Sequence, residues 1–251
     1  NKTNHLTGNL SDSFSKLNTV FLQLIVMIMS FAPLGVFCLI GKFVVADGLD
    51  IFQDVVAYVV LLITLLLFHA AFTYSFFLKA IAGLNPITFF KKMKDVALFA
   101  FSTSSSAATI PVTLKTANQD LGVNQNVASF VVPVGATINM DGTAIMQGLA
   151  TVFIAQMSGI DLTLFQYMQV VLLAVATSIG TAAVPSAGTI TLIIILQQFN
   201  LPLEAIGIIL AVDRVLEMII TSVNVTGDAA IACIVAKTEN QLDENIFNSK
   251  A

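Results

Sequence analysis

The chain is 251 residues long, 57% hydrophobic and only 10% charged, with a formal net charge of −4 and a mean hydropathy of +0.90. A soluble domain carries about a quarter charged residues, so this composition excludes a water-soluble body of this size. Nucleic-acid binding is excluded by the absence of a basic face and of Trp, and Cys38 and Cys233, not spaced as a metal pair, read as small core residues.

A polar segment, 1–16, opens the chain at Asn1 with no signal peptide, as expected of a sequence that starts within a longer protein. Lys16 and Lys42 bound a charge-free stretch, and a first transmembrane helix is expected within 17–47. An acidic link with Asp47, Asp50 and Asp54 leads to a second span, 51–80. His69 lies inside it and reads as a packed or hydrogen-bonded residue, with a proton relay as the alternative. Lys91, Lys92 and Lys94 follow Asn85-Pro86, and the positive-inside rule places that side in the cytoplasm. The acidic link then lies outside, one span away.

Three interrupted segments come next. Residues 86–119 hold the polar run Ser102 to Ser106 between apolar flanks too short to cross a bilayer, which predicts a re-entrant hairpin. Residues 124–159 read as a span broken at Gly135-Ala-Thr-Ile-Asn139-Met-Asp141-Gly142-Thr143, because two glycines, an amide and a carboxylate at membrane depth require unwound or buried backbone. Residues 162–201 carry no charge, are too long for one span, and turn at Ser178-Ile-Gly180-Thr181-Ala-Ala-Val184-Pro185-Ser186, which predicts a second hairpin. The order hairpin, helix, hairpin, helix with the second hairpin entering from the opposite side is an inverted repeat. Paired interrupted segments of this kind point to a transporter binding site.

The last span, 203–237, places Asp213, Glu217, Thr221, Asn224 and Asp228 on one face, and a polar tail, 238–251, ends the chain. Buried carboxylates in a bilayer each cost a few kcal/mol. Asp141, Asp213, Glu217 and Asp228 face one arginine in this region, Arg214, so a cation is the expected counter-charge. Na⁺ fits the oxygen-rich set Asn139, Asp141, Asn224, Asp228 and the carbonyls near Gly135, and H⁺ is the alternative. For an amino-acid substrate, the serine tip offers donors, Thr221 and Asn224 suit the α-carboxylate, and Glu217, ahead of Asp213, suits the ammonium. No Ser/His/Asp order, metal motif or nucleotide loop appears, so an enzyme is not expected.

Four motifs in order, Ser104-Ser-Ser-Ala-Ala-Thr-Ile-Pro111, Asn139-Met-Asp-Gly-Thr143, Ser178-Ile-Gly-Thr-Ala-Ala-Val-Pro185 and Asn224-Val-Thr-Gly-Asp228, resemble the dicarboxylate/amino-acid:cation symporter family. The resemblance implies an all-α membrane fold, with a scaffold-type helix at 17–47, a transport domain at 48–237 moving as an elevator, and a homotrimer in the lipid bilayer. The family's first four spans have no counterpart in this chain. It also implies one sodium site at Gly135, Asn139, Asn224 and Asp228, a second at Thr137, Ser178, Ile179 and Thr181, and a third involving Asn139 and Asp141. Substrate would meet Ser106, Thr143, Val184, Gly188, Glu217, Thr221 and Asn224.

Two departures matter. Acidic-substrate members carry an arginine four residues before the asparagine of the last helix, and this chain has Ile220 there; neutral-substrate relatives also lack it. The family's aspartate for the substrate ammonium is here Glu217. The expected function is therefore sodium-coupled symport of a neutral amino acid, with an acidic amino-acid or dicarboxylate symporter, a proton-coupled carrier, or an anion-conducting channel as alternatives. The expected setting is a bacterial inner membrane with the C-terminus in the cytoplasm.

Overall fold

A computed structural model describes residues 51–249 without interruption and scattered positions between 13 and 45. The chain divides into two compact units, Asn1–Leu49 and Asp50–Ala251. The expected helix at 17–47 lies largely outside the described residues; its described positions are helical apart from a turn at Ser30 and Phe31. Cys38 is exposed there, against the expectation of a core residue, whereas Cys233 in the second unit is buried.

The second unit is helical, and the described residues form no strand beyond one isolated bridge, Val123 with Leu242. Its first helix, α1 (Ile51–Phe68), continues through a π-helical turn, His69–Tyr74, into α2 (Ser75–Ala80). Among the described residues Phe52–Ala80 is the one helix long and apolar enough to cross a membrane. The sequence predicts an uninterrupted helix here. The π turn adds a residue to the cycle and turns His69 and Tyr74 toward Asp141, a use to which such bulges are often put at functional sites.

Two pairs of helices come next, within the segments 86–119 and 162–201. Hairpin one is α3 (Pro86–Thr103) and α4 (Ser106–Gln119). Asn85 caps α3 ahead of Pro86, and Ser105 caps α4 by accepting from the Ala108 N–H. Ser104 makes the tip by taking the left-handed conformation, with φ of 50°. Hairpin two is α7 (Leu164–Ile179) and α8 (Ala187–Gln198), both shorter than a bilayer span. Thr163 and Gln166 form a capping box at its start.

Between the hairpins lie α5 (Gln125–Ile138) and α6 (Asp141–Met157), interrupted at Asn139 and Met140. The last long helix, α9 (Ile206–Thr238), is entered through a 3-10 turn at Leu203–Ala205, and its 33 residues extend about 50 Å at 1.5 Å per residue. It packs against α1, α3, α4, α5, α6 and α8. Asp213, Thr221, Asn224 and Asp228 are all buried, while Val215 and Ile231 on other faces are exposed.

The polar tail is docked as far as residue 249. A short helix, α10 (Glu244–Asn248), buries Phe247 completely. Lys92, itself buried, donates to the carbonyls of Asp120 at 2.8 Å and Ile246 at 2.7 Å and to Ser249 Oγ at 3.2 Å. Gly122, with φ of 71°, lets the tail approach: a Cβ there would lie 2.3 Å from the Asp243 carbonyl oxygen.

Candidate substrate and sodium site

The two hairpin tips meet. Ser105 Oγ donates to the Ala183 carbonyl at 2.9 Å, and the Ala107 N–H points at the same oxygen at 3.4 Å. Beneath them is a small cavity of about 20 Å³. Hairpin one contributes Ser104 and Ser106, the broken helix Met140 and Thr143, hairpin two residues 181–184 and Gly188, and α9 Glu217, Ile220, Thr221 and Asn224. All seven residues expected to meet substrate line this one space, and so does Ile220. Among the described residues its one ionisable lining residue is Glu217, and no lysine or arginine lines it.

Thr143 and Asn224 are joined, Asn224 Nδ2 donating to Thr143 Oγ1 at 3.2 Å, while Asn224 Oδ1 accepts the Gly142 N–H at 2.8 Å. These bonds hold the start of α6 against α9. Gly188 is required by space: a Cβ would lie 2.8 Å from Thr143 Cγ2. The sequence reading missed Ser104. Its hydroxyl is buried, lines the cavity and has no hydrogen-bond partner among the described residues, and a buried donor left alone is costly. The left-handed backbone that aims it was not legible in a run of serines.

Glu217, expected to be free for an ammonium, is engaged. Both its oxygens accept the Ser186 backbone N–H, at 2.5 and 2.6 Å. Asp213 accepts Ser186 Oγ at 2.8 Å and Thr189 Oγ1 at 2.5 Å. Ser186 has φ of 61°, opens α8 without a side-chain cap, and gives both its N–H and its hydroxyl to the acids of α9. Gln147 is a second missed residue. Fully buried, it donates to the Gly188 carbonyl and Thr191 Oγ1 and accepts from Thr177 Oγ1, tying both arms of hairpin two to α6.

Of the first expected sodium set, Asn139 contacts both Asp228 and the Gly135 carbonyl, while the Asn224 side chain is bonded to Gly142 and Thr143 instead. Asn139 Nδ2 donates to Asp228 Oδ1 at 3.0 Å, and the Asn139 N–H caps the Gly135 carbonyl at 2.8 Å. Gly135 has no alternative here, since a Cβ would lie 2.5 Å from Asp228 Oδ1. Gly227 is equally confined, with Tyr74 Oη at 2.6 Å and Asn139 Nδ2 at 2.8 Å from its would-be Cβ. Asp228, 2% exposed, has more acceptor sites than this one amide fills, and oxygen donors of this type suit a hard monovalent cation.

The other two sets are less complete. Ser178 and Thr181 are buried and adjacent, the Thr181 N–H bonding the Ser178 carbonyl at 3.1 Å. Ile179 and Thr137 are exposed, and the Thr137 hydroxyl turns back to the Val134 carbonyl at 2.8 Å. Asp141 is held by His69 Nε2 and Tyr74 Oη, each at 3.1 Å. His69 is thus hydrogen-bonded, the first of the two roles read for it.

Buried carboxylates facing helix breaks, between two short hairpins, define a membrane transporter architecture. The family model for the sodium:dicarboxylate symporter family matches residues 2–238. The chain is 41% identical to human excitatory amino acid transporter 2 over 226 residues, covering 89% of this chain and 39% of that protein. It is 39% identical to a Caenorhabditis elegans excitatory amino acid transporter over 88% of this chain and 44% of that protein, and 38% identical to mouse excitatory amino acid transporter 3 over 96% and 46%. The chain spans less than half the length of these relatives. It belongs to the sodium:dicarboxylate symporter family and is an all-α integral membrane protein. These three relatives are animal proteins, which lends nothing to the expected bacterial membrane.

Proposed function

We infer that this chain forms the substrate- and cation-binding portion of a sodium-coupled amino-acid symporter, and that its substrate is a neutral amino acid. The observation that carries the substrate class is the cavity wall. Ile220, 4% exposed, occupies the position where acidic-substrate members place arginine, and the only charge in the lining is itself acidic. A substrate side-chain carboxylate seated there would be buried beside Glu217 without a counter-charge, which is strongly unfavourable.

The N-termini of α4, α6 and α8 converge on the cavity through Ser106, Thr143 and Gly188. Their partial positive charge and N–H groups favour the substrate α-carboxylate, with Thr221 and Asn224 supplying side-chain bonds. The ammonium lies toward Glu217. Na⁺ bound by Asp228, Asn139 and the Gly135 carbonyl offsets the buried carboxylate next to the Asn139 break. This chain's own part is to hold the break open at Gly135 and Gly227 and to close the tips over the cavity. Hairpins one and two are read as re-entrant inner and outer gates of a transport domain, 48–237, that moves as an elevator within a homotrimer.

The test is uptake by the protein in liposomes with imposed sodium or proton gradients and a panel of labelled amino acids. Sodium-driven uptake of a neutral amino acid is expected. Uptake of aspartate or glutamate in preference would favour the second reading, an acidic-substrate carrier, which the names of the family and of its relatives support. Uptake driven by a pH gradient alone would overturn sodium coupling.

A further inference from the structure

We infer that Lys92 is a positioning residue for hairpin one: it straps the C-terminal tail across the base of the hairpin, and the strap holds the serine tip in place at the other end. The inference rests on the reading of hairpin one as a gate of the cavity. Lys91 and Lys94, its neighbours in the basic run, are exposed, whereas Lys92 is buried. Burying an ammonium is costly unless its donors are answered. Among the described residues Lys92 pairs with no carboxylate. Its acceptors are the Asp120 carbonyl at the end of α4 and, in the tail, the Ile246 carbonyl and Ser249 Oγ. Carbonyls left free at a helix C-terminus carry partial negative charge and so suit a cation.

The tail is fastened along its length. Asn240, with φ of 56°, turns the chain out of α9. The Asn124 N–H then donates to the Gln241 carbonyl at 3.0 Å and the Asp243 N–H to the Gly122 carbonyl at 2.8 Å, which pairs the tail with the turn between α4 and α5. Asp243 caps α10 by accepting the Asn245 and Ile246 N–H groups, and Phe247 is fully buried. Lys92 thus joins both arms of hairpin one, at their base, to this anchored tail. Among the described residues two hydrogen bonds made by side chains cross between the arms: Thr103 Oγ1 with Thr109 Oγ1 at 3.3 Å beside the tip, and Lys92 Nζ with the Asp120 carbonyl at 2.8 Å at the base. Ser104 follows Lys92 by twelve residues, about 18 Å along a helix. Between them α3 has neither Gly nor Pro, the usual sites of a kink, so a shift at the base is carried to the tip. The tip's own hold on hairpin two is slight, one hydroxyl bond at 2.9 Å and one N–H at 3.4 Å.

Amide hydrogen exchange of the full chain in lipid nanodiscs tests the strap. Lys92→Met removes its bonds, and Phe247→Ala loosens the tail without touching hairpin one or the cavity. Each variant is expected to speed exchange at the tip, residues 99–110, at least about five-fold, while hairpin two, 164–198, exchanges as in the parent. Lys92→Arg keeps the charge and the donors and should stay near the parent rate. If Lys92→Met does not fold, Phe247→Ala decides alone. Unchanged exchange at 99–110 overturns the strap, because the tail is then docked without governing the tip. A matching rise across hairpin two also overturns it, since Lys92 and Phe247 would then serve only general stability. Exchange at 99–110 as fast in Lys92→Arg as in Lys92→Met overturns the role of the charge and with it the proposal. No transport is measured, so a strap that passes while amino-acid uptake fails sinks only the functional reading.

Discussion

The Ser186 N–H lies 2.5 and 2.6 Å from the two carboxylate oxygens of Glu217, so the tip of hairpin two and the acidic stripe of α9 meet at a single backbone group. The contact is local enough to be tested one side chain at a time.

Asp228→Asn keeps the size of the side chain and removes its charge. The mutant amide can still meet Asn139, but it gives a cation one neutral oxygen in place of a carboxylate. The sodium concentration for half-maximal uptake should rise about 10- to 100-fold, equivalent to about 1.4 to 2.8 kcal/mol. Titrating uptake against sodium checks this.

Gly135→Ala would force a Cβ to 2.5 Å from Asp228 Oδ1. Overpacking of this kind costs about 1–3 kcal/mol. The expected result is a lower unfolding temperature in detergent together with weakened sodium dependence. Gly148→Ala, mid-helix with no neighbouring element within 4 Å of the new Cβ, should leave sodium dependence unchanged and raise the unfolding temperature slightly.

Ile220→Arg would put a guanidinium into the cavity wall. Aspartate uptake should increase at least about tenfold relative to that of the preferred neutral amino acid, a shift of about 1.4 kcal/mol in discrimination. Competition between labelled substrates measures the ratio directly, and an unchanged ratio would show that Ile220 does not set substrate charge.

Lys92→Met removes three donated bonds, one at the end of hairpin one, to Asp120 O, and two to the tail, to Ile246 O and Ser249 Oγ. Hydrogen bonds from a charged group contribute about 1.5–3 kcal/mol each. The tail beyond Thr238 should be cleaved faster by a protease added to the Lys91 side, while the core, 51–238, stays intact. The ion pair of Lys237 with Glu244 is at the exposed end of the same tail and should matter little on its own.

Much of the architecture was legible from charge spacing. The charge-free stretch after Asp161, the serine run and the Asn139 to Thr143 break each disclosed an interrupted helix, because a bilayer tolerates polar groups only where the chain is buried or unwound. Helical periodicity likewise put Asp213, Glu217, Thr221, Asn224 and Asp228 on one inward face, and the motif resemblance named the cavity residues in advance. The π turn at His69–Tyr74 was not legible, since its apolar composition is that of an ordinary span.

What the sequence by itself determined, then, is which residues are polar at membrane depth and which helices must break to hold them. What only the tertiary structure decided is who answers whom: Glu217 with the Ser186 backbone, Asp213 with Ser186 and Thr189, Asp141 with His69 and Tyr74, Gln147 with both arms of hairpin two. The physical reason is that these partners are far apart in the chain and several are backbone groups. A backbone N–H is the same at every position, and only a left-handed residue such as Ser186, φ 61°, turns one of them out of its own helix and toward a carboxylate.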